Sequence, residues 1–401
     1  MRRSNSLEIF VQPTPTPDDH DPVRPTEDRL EEPDASSDGS QLEEGIACCL
    51  SGGGFRASIF HLGGLWRLNQ AGLLREVKRF SSVSGGSITS AVLGMNWHRL
   101  VEHEFSEEAF IENVVNPIRG LCSTTIDVPA VGWGSLNPFR RISDIVASHY
   151  DAVFQGKTLQ DLPDEPRWVF NATNVKTGVL WRFSKPYMGD YLVGLVDNPK
   201  VALADAVAAS TAFPPYLSPF LLPVDPDDFN SRGKVGLIDD SHRRDALLTD
   251  GGVYDNLGLE TAYKRYKTLL VSDGGRRTPP EADPKDDWPR HSYRVIQILQ
   301  QQNSSIRRRQ LIGAFRQQLR SGAYWGVETR IRDFQIDSAF SIDDDAQDKL
   351  SGIDTRLAEI DSLTQQRLIN LAFAIGDASI RKYYRSDLPR AETLPYQEVG
   401  I

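Results

Sequence analysis

The sequence predicts an α/β fold with a helical C-terminal extension. Two observations point to it. Strand, glycine turn and helix follow one another twice between Ile46 and His98, which is the grammar of a sheet flanked by helices. Beyond about Tyr293 the pattern changes to long stretches of helical periodicity.

IACCL (Ile46–Leu50) reads as a short buried strand stopped by Ser-Gly-Gly-Gly. From Phe55, apolar residues recur at helical spacing, with Phe55, Ile59, Leu62, Leu65, Trp66 and Leu68 largely on one face. Gly72 is placed to end that helix. FSSV (Phe80–Val83) is a second strand, and a helix follows from Gly85 to about His98. Trp168–Ser184 contains two β-rich runs around Lys176-Thr177-Gly178, most simply a hairpin. VALADAVAASTAF is a short helix terminated by Pro214 and Pro215. LLTDGG and KTLLVSDGG are two more strands, each ending in Asp-Gly-Gly.

The chain of 401 residues, 39% apolar and 25% charged, has the composition of a soluble globular protein. No apolar run approaches the ~18 residues of a membrane span, and the N-terminus has no apolar segment of the kind a secretory signal carries. Three cysteines, Cys48, Cys49 and Cys122, make neither a disulfide framework nor a zinc set. A reducing, cytoplasmic setting is the simplest fit. Up to Glu44 there are 12 acidic residues and 4 arginines, a net of −8 out of the chain's −10. Residues 1–44 are therefore expected to be a disordered acidic tail. The near-neutral remainder lacks the basic excess of a nucleic-acid binder.

Ser82-Val83-Ser84-Gly85-Gly86 has the strand-before, helix-after context of a nucleophile elbow, with Ser82 where the pattern G-x-S-x-G has glycine. A serine nucleophile needs a base and a site for the oxyanion. Gly52, Gly53 and Gly54 lie at a strand-to-helix junction, where backbone N–H groups can converge at the positive end of a helix. The dinucleotide spacing fails there because Phe55-Arg56 leads into Ala57, and Gly156-Lys157-Thr158 fails as a P-loop because Asp151 replaces the leading glycine. Arg56 suits either an anionic substrate phosphate or an internal salt bridge, the structural role standing slightly ahead. None of the seven histidines, His20, His61, His98, His103, His149, His242 and His291, sits at a strand end with a supporting carboxylate. A carboxylate can serve as base if burial raises its pKa. Asp250 and Asp273, each before Gly-Gly, are equal candidates on local sequence.

SGGGFRAS, SSVSGGS, AASTAFPPYLSP and DGGVYDNLG, in this order, resemble the blocks of the patatin-like phospholipases, particularly their bacterial members. The resemblance runs from about Gly45 to Gly275 and extends to SSIRRRQLIGAF and GAYWG. It implies a three-layer α/β/α fold and hydrolysis of lipid acyl esters by a Ser/Asp dyad, without metal or organic cofactor. It puts the nucleophile at Ser84, the base at Asp250 and the oxyanion hole on Gly52, Gly53 and Gly54, and it demotes Asp273. Ser51, Ala57 and Ser82 depart from the family pattern by small-residue exchanges.

The corresponding division is a tail (1–44), a catalytic domain (45–300), a helical region packed on it (301–385) and a second tail (386–401). Arg307, Arg308, Arg309, Arg316 and Arg320 stand among Ile306, Leu311, Ile312, Phe315 and Leu319. That pattern suits peripheral contact with an anionic bilayer on the inner membrane surface, and equally a helix buried on one side with a solvated basic face. Two alternatives to a lipid hydrolase stay open: a soluble carboxylesterase or thioesterase on the same dyad, and a non-catalytic binding or scaffold protein on this fold.

Overall fold

In the computed structural model, which describes residues 42–127, 142–230, 236–336 and 340–401, alternate side chains of strand β1 (Glu43–Leu50) enter two different cores. Ile46, Cys48 and Leu50 join the larger core, while Ala47 and Cys49 join the smaller. Period-two alternation with both faces apolar is what a strand covered on both sides requires. The acidic tail up to position 41 lies outside the described residues. Glu43 and Glu44 belong to the strand itself, where they pair with Arg265 and Lys267.

The remaining strands are β2 (Val77–Val83), β3 (Arg167–Asn174), β4 (Val179–Phe183), β5 (Tyr187–Asp190), β6 (Gly194–Asp197), β7 (Phe220–Leu222), β8 (Phe229–Asn230), β9 (Ala246–Asp250), β10 (Tyr266–Asp273) and β11 (Ser321–Gly326). They form one mixed sheet in the order β11-β10-β1-β2-β3-β4-β5-β6-β8, with β9 pairing both β3 and β7. From β11 to β3 the sheet is parallel; from β3 to β8 it is an antiparallel meander. The predicted hairpin is β3–β4.

Helices α1 (Gly54–Gln70), α2 (Gly85–Met95), α3 (Ile142–Phe154) and α4 (Leu203–Ser210) contribute to the larger core on one face. The segment Leu257–Tyr266 and helix α5 (Trp288–Arg316) cover the other, with Leu311 closing the smaller core. The architecture is thus three-layered. Helix α6 (Ser362–Tyr383) packs on the larger-core side.

Helix α1 departs from its sequence pattern: every residue from Gly54 to Asn69 is buried, not one face alone. The reason is α6, which covers the side that faces away from the sheet. There Arg67 and Asp377 form a buried ion pair at 2.8 Å. The last residues of the chain are tied down too, with Tyr396 edge-on to Trp66 and Asn370 donating to the carbonyls of Tyr396 and Gly400. Helix α5 is continuous through position 300, and only Leu311 and Ala314 along it are buried.

Candidate active site

Strand pairing brings Ser84 and Asp250 together. β2 runs along one edge of β3 and ends with Val83 opposite Asn171. β4 occupies the other edge of β3 over Phe170–Asn174. β9, antiparallel and opposite Ala172–Asn174, therefore continues the edge that β2 has left, ending with Asp250 opposite Ala172. Two strands meet head-on beside β3, and their last residues face each other across the meeting point.

Ser84 has φ 51° and ψ −123°, a strained conformation for a residue with a Cβ. Its backbone N–H donates to Ser210 Oγ at 3.0 Å. Ser210 Oγ in turn donates to the Asn171 carbonyl at 2.7 Å and lies 2.9 Å from Ser87 Oγ. Asn171 Nδ2 donates to the Ser82 carbonyl at 2.9 Å. Ser82 is fully buried, and its hydroxyl, which donates to Val169 O and accepts from Ser87, fits without displacing the turn. Local sequence did not single out Asn171 or Ser210. Ser210 lies inside the AASTAFPPYLSP block, the one signal available for it.

Asp250 is buried, and loss of hydration raises its pKa to about 6, opposed by the Gly252 N–H and the Ser84 hydroxyl. The Gly252 N–H donates to Oδ1 at 2.6 Å. Oδ2 has no hydrogen bond of normal geometry among the described residues. The carboxyl group is therefore anchored by one oxygen and open at the other.

Asp273 is built differently. It accepts from Arg308 at 2.9 Å, from the Tyr324 hydroxyl at 2.7 Å and from the Gly275 N–H at 2.9 Å. Asp273→Asn should therefore destabilise the fold by about 3 kcal/mol by leaving Arg308 unpaired, whereas Asp250→Asn should stabilise it. Urea unfolding of the two variants checks the opposite signs.

The glycine run lies against the elbow. At Gly54, φ is 61° and a Cβ would stand 2.4 Å from Arg356 O; at Gly85 a Cβ would stand 2.1 Å from Gly54 O. The Gly52 N–H is already engaged, donating to Asn256 O at 3.0 Å, and the Phe55 N–H donates to Arg356 O at 2.9 Å. The N–H groups of Gly53 and Gly54, at the start of α1, have no partner among the described residues.

Arg56 is fully buried, which lowers its pKa to about 10. Its guanidinium donates to Gly274 O at 3.0 Å, to Ile353 O and to Thr355 Oγ1 at 3.1 Å. Carbonyl and hydroxyl oxygens, rather than a carboxylate, receive it. His61, the histidine nearest in sequence, donates to Ser51 O at 2.9 Å and shares a hydrogen bond with Ser272. Burial lowers its pKa to about 4, so it is neutral. His242 pairs with Asp239 on the surface. His20 lies outside the described residues.

A family model, patatin-like phospholipase, matches residues 48–263. The chain belongs to the patatin-like phospholipase family. Among solved structures, this patatin-like chain is similar to human GIVD cytosolic phospholipase A2, with 14% identity, a TM-score of 0.35 and coverage of 57% of this chain and 43% of that one. The same human protein in complex with methyl gamma-linolenyl fluorophosphonate gives 15% identity and a TM-score of 0.36, covering 58% and 40%. VipD from Legionella pneumophila gives 13% identity and a TM-score of 0.33, covering 84% and 66%. The chain thus spans less than half the length of the human protein. No curated protein sequence matches it.

No helix among the described residues of this patatin-like chain is long and apolar enough to cross a membrane. Of the five arginines in the basic stretch, Arg307 pairs with Glu260 at 2.8 Å, Arg308 with Asp273, and Arg320 donates to Tyr263 O at 3.0 Å. Arg309 and Arg316 are exposed.

Proposed function

We propose that this protein is a lipid acyl hydrolase in which Ser84 is the nucleophile, Asp250 the base, and the N–H groups of Gly53 and Gly54 the oxyanion hole. The observation that carries this reading is the Asp250 carboxyl group, buried and open at Oδ2 beside the strained Ser84. A carboxylate with a pKa of about 6 is ionised at neutral pH, yet accepts a proton far more readily than an exposed aspartate. Ser84 Oγ attacks the ester carbonyl as its proton passes to Asp250. The tetrahedral oxyanion forms at the N-terminus of α1, where free N–H groups and the helix dipole stabilise it. Asp250 then returns the proton to the departing alcohol. Water, deprotonated by the same carboxylate, releases the acid from Ser84. Gly52, its own N–H committed to Asn256, braces the loop instead of binding the oxyanion, and Arg56 holds the loop in place. The test is release of free fatty acid from lipid esters by the wild type and its absence with Ser84→Ala.

Peripheral contact with the inner surface of a membrane, from the cytoplasm, belongs to the same reading, since the substrate lies in an interface. Exposed Ile306 and Leu319, with Arg309 and Arg316, form the available surface. Co-sedimentation of Arg309→Glu/Arg316→Glu with anionic vesicles should weaken by about 1 kcal/mol for each cation removed. Equal sedimentation of variant and wild type would remove this surface from the proposal.

A further inference from the structure

Two cavities meet at Ser84. One, of about 340 Å³, is lined in part by Asp250, Asn256, Gln300 and Ser305. The other, of about 460 Å³, is lined in part by Gly54, Phe213, Tyr216, Leu217 and Leu357. Phe213, Tyr293, Thr355 and Arg356 border both. Resting on the Ser84/Asp250 reading, we propose that the apolar cavity receives the acyl chain and the polar cavity the alcohol half of the ester. We further propose that this alcohol is recognised through its hydroxyl groups rather than through a phosphate charge.

Asp250 decides which half goes where. The proton it takes from Ser84 must reach the ester oxygen as the bond between that oxygen and the acyl carbon breaks. The departing alcohol therefore lies on the side of Asp250, which lines the polar cavity and not the apolar one. The acyl group is left on the other side, among Tyr216, Leu217 and Leu357, where burial of a hydrocarbon chain is favourable at roughly 25 cal/mol per Å².

Charge balance decides the chemistry of the alcohol. Each arginine at the polar cavity already has a carboxylate: Arg276 has Asp354 at 2.8 Å, Arg277 has Glu328 at 3.3 Å, Arg308 has Asp273 at 2.9 Å and Arg356 has Asp127 at 2.9 Å. A phosphate there would meet arginines whose charge is already balanced. The half-buried side chains of Asn256, Gln300 and Ser305 are different, with no hydrogen bond to the protein among the described residues. Amides and hydroxyls both donate and accept. A ligand hydroxyl can answer both functions, and a phosphate oxygen can only accept.

The experiment compares oleate esters of glycerol, of glycerol phosphate and of p-nitrophenol in detergent micelles, with p-nitrophenyl acetate as the short-chain reference. The wild type should cleave 1-oleoylglycerol faster than oleoyl glycerol phosphate. In Gln300→Leu/Ser305→Val, the rate on 1-oleoylglycerol relative to p-nitrophenyl oleate should fall about tenfold. In Leu217→Trp, the rate on p-nitrophenyl oleate relative to p-nitrophenyl acetate should fall by about the same factor. Each ratio is internal to one variant, so partial misfolding does not alter it. Preference for the phosphate ester, or unchanged ratios in the two variants, overturns the assignment of the cavities. If Ser84→Ala cleaves all the esters at the wild-type rate, it is the Ser84 reading that has failed instead.

Discussion

Ser84→Ala is expected to lower ester turnover at least about a thousandfold, because without the hydroxyl no acyl-enzyme forms. Labelling with a fluorophosphonate should vanish in the same variant, and labelling that persists would place the nucleophile elsewhere. The fold should survive, since the backbone at this position is held by Ser210 through the main-chain N–H. Ser84→Gly adds a second reading of the same position. Strain of the kind seen at φ 51° costs ~1–3 kcal/mol, and the extra freedom of an unfolded glycine costs ~0.5–1 kcal/mol. The strain is the larger quantity, so Ser84→Gly should be inactive and about 1 kcal/mol more stable than the wild type. A glycine variant less stable than the alanine variant would mean that the elbow is not strained.

Asp250→Asn is expected to lose about 10²–10⁴-fold in turnover, the range a positioned general base contributes. The pH profile tests the same carboxylate. Its folded pKa of about 6 lies above the ordinary aspartate value. The base is protonated below about pH 6, and kcat/KM should fall about tenfold per unit there. Stability moves the other way. Between the unfolded pKa of ~3.9 and the folded value, the native state binds more protons than the unfolded chain, so stability falls as pH rises through this window. Above it the full cost of a buried, half-satisfied charge is present. Asp250→Asn removes that cost, so its gain in stability should be largest at pH 8 and should shrink towards pH 4. A gain independent of pH would mean that the carboxylate is not the titrating group.

The three-layer architecture was legible because its first strands and helices are apolar and separated by glycine. Both Asp-Gly-Gly turns were legible as strand ends, but local letters could not rank them. What separates them is direction: β9 runs antiparallel into the gap left by β2, while β10 runs parallel beside β1 and meets Arg308 and Tyr324. Pairing partners that far apart in sequence leave no mark on the turn itself. The same holds for the Gly52 N–H, whose acceptor is the carbonyl of Asn256. It holds also for α1, where α6 buries a face that helical periodicity assigns to solvent. Chemistry was carried by residue type, and its availability by neighbours.

The glycine loop is closed from outside by Arg356 O, which receives the Phe55 N–H, and by Ile353 and Thr355, which receive Arg56. These residues lie well beyond position 263, where the family match ends. Two relatives that agree letter for letter across SGGGFRAS can therefore present differently shaped loops. The divergence to watch is in the short stretch from Gly352 to Leu357, where a single changed backbone angle would reach the turn at Ser84 without touching any residue of its motif.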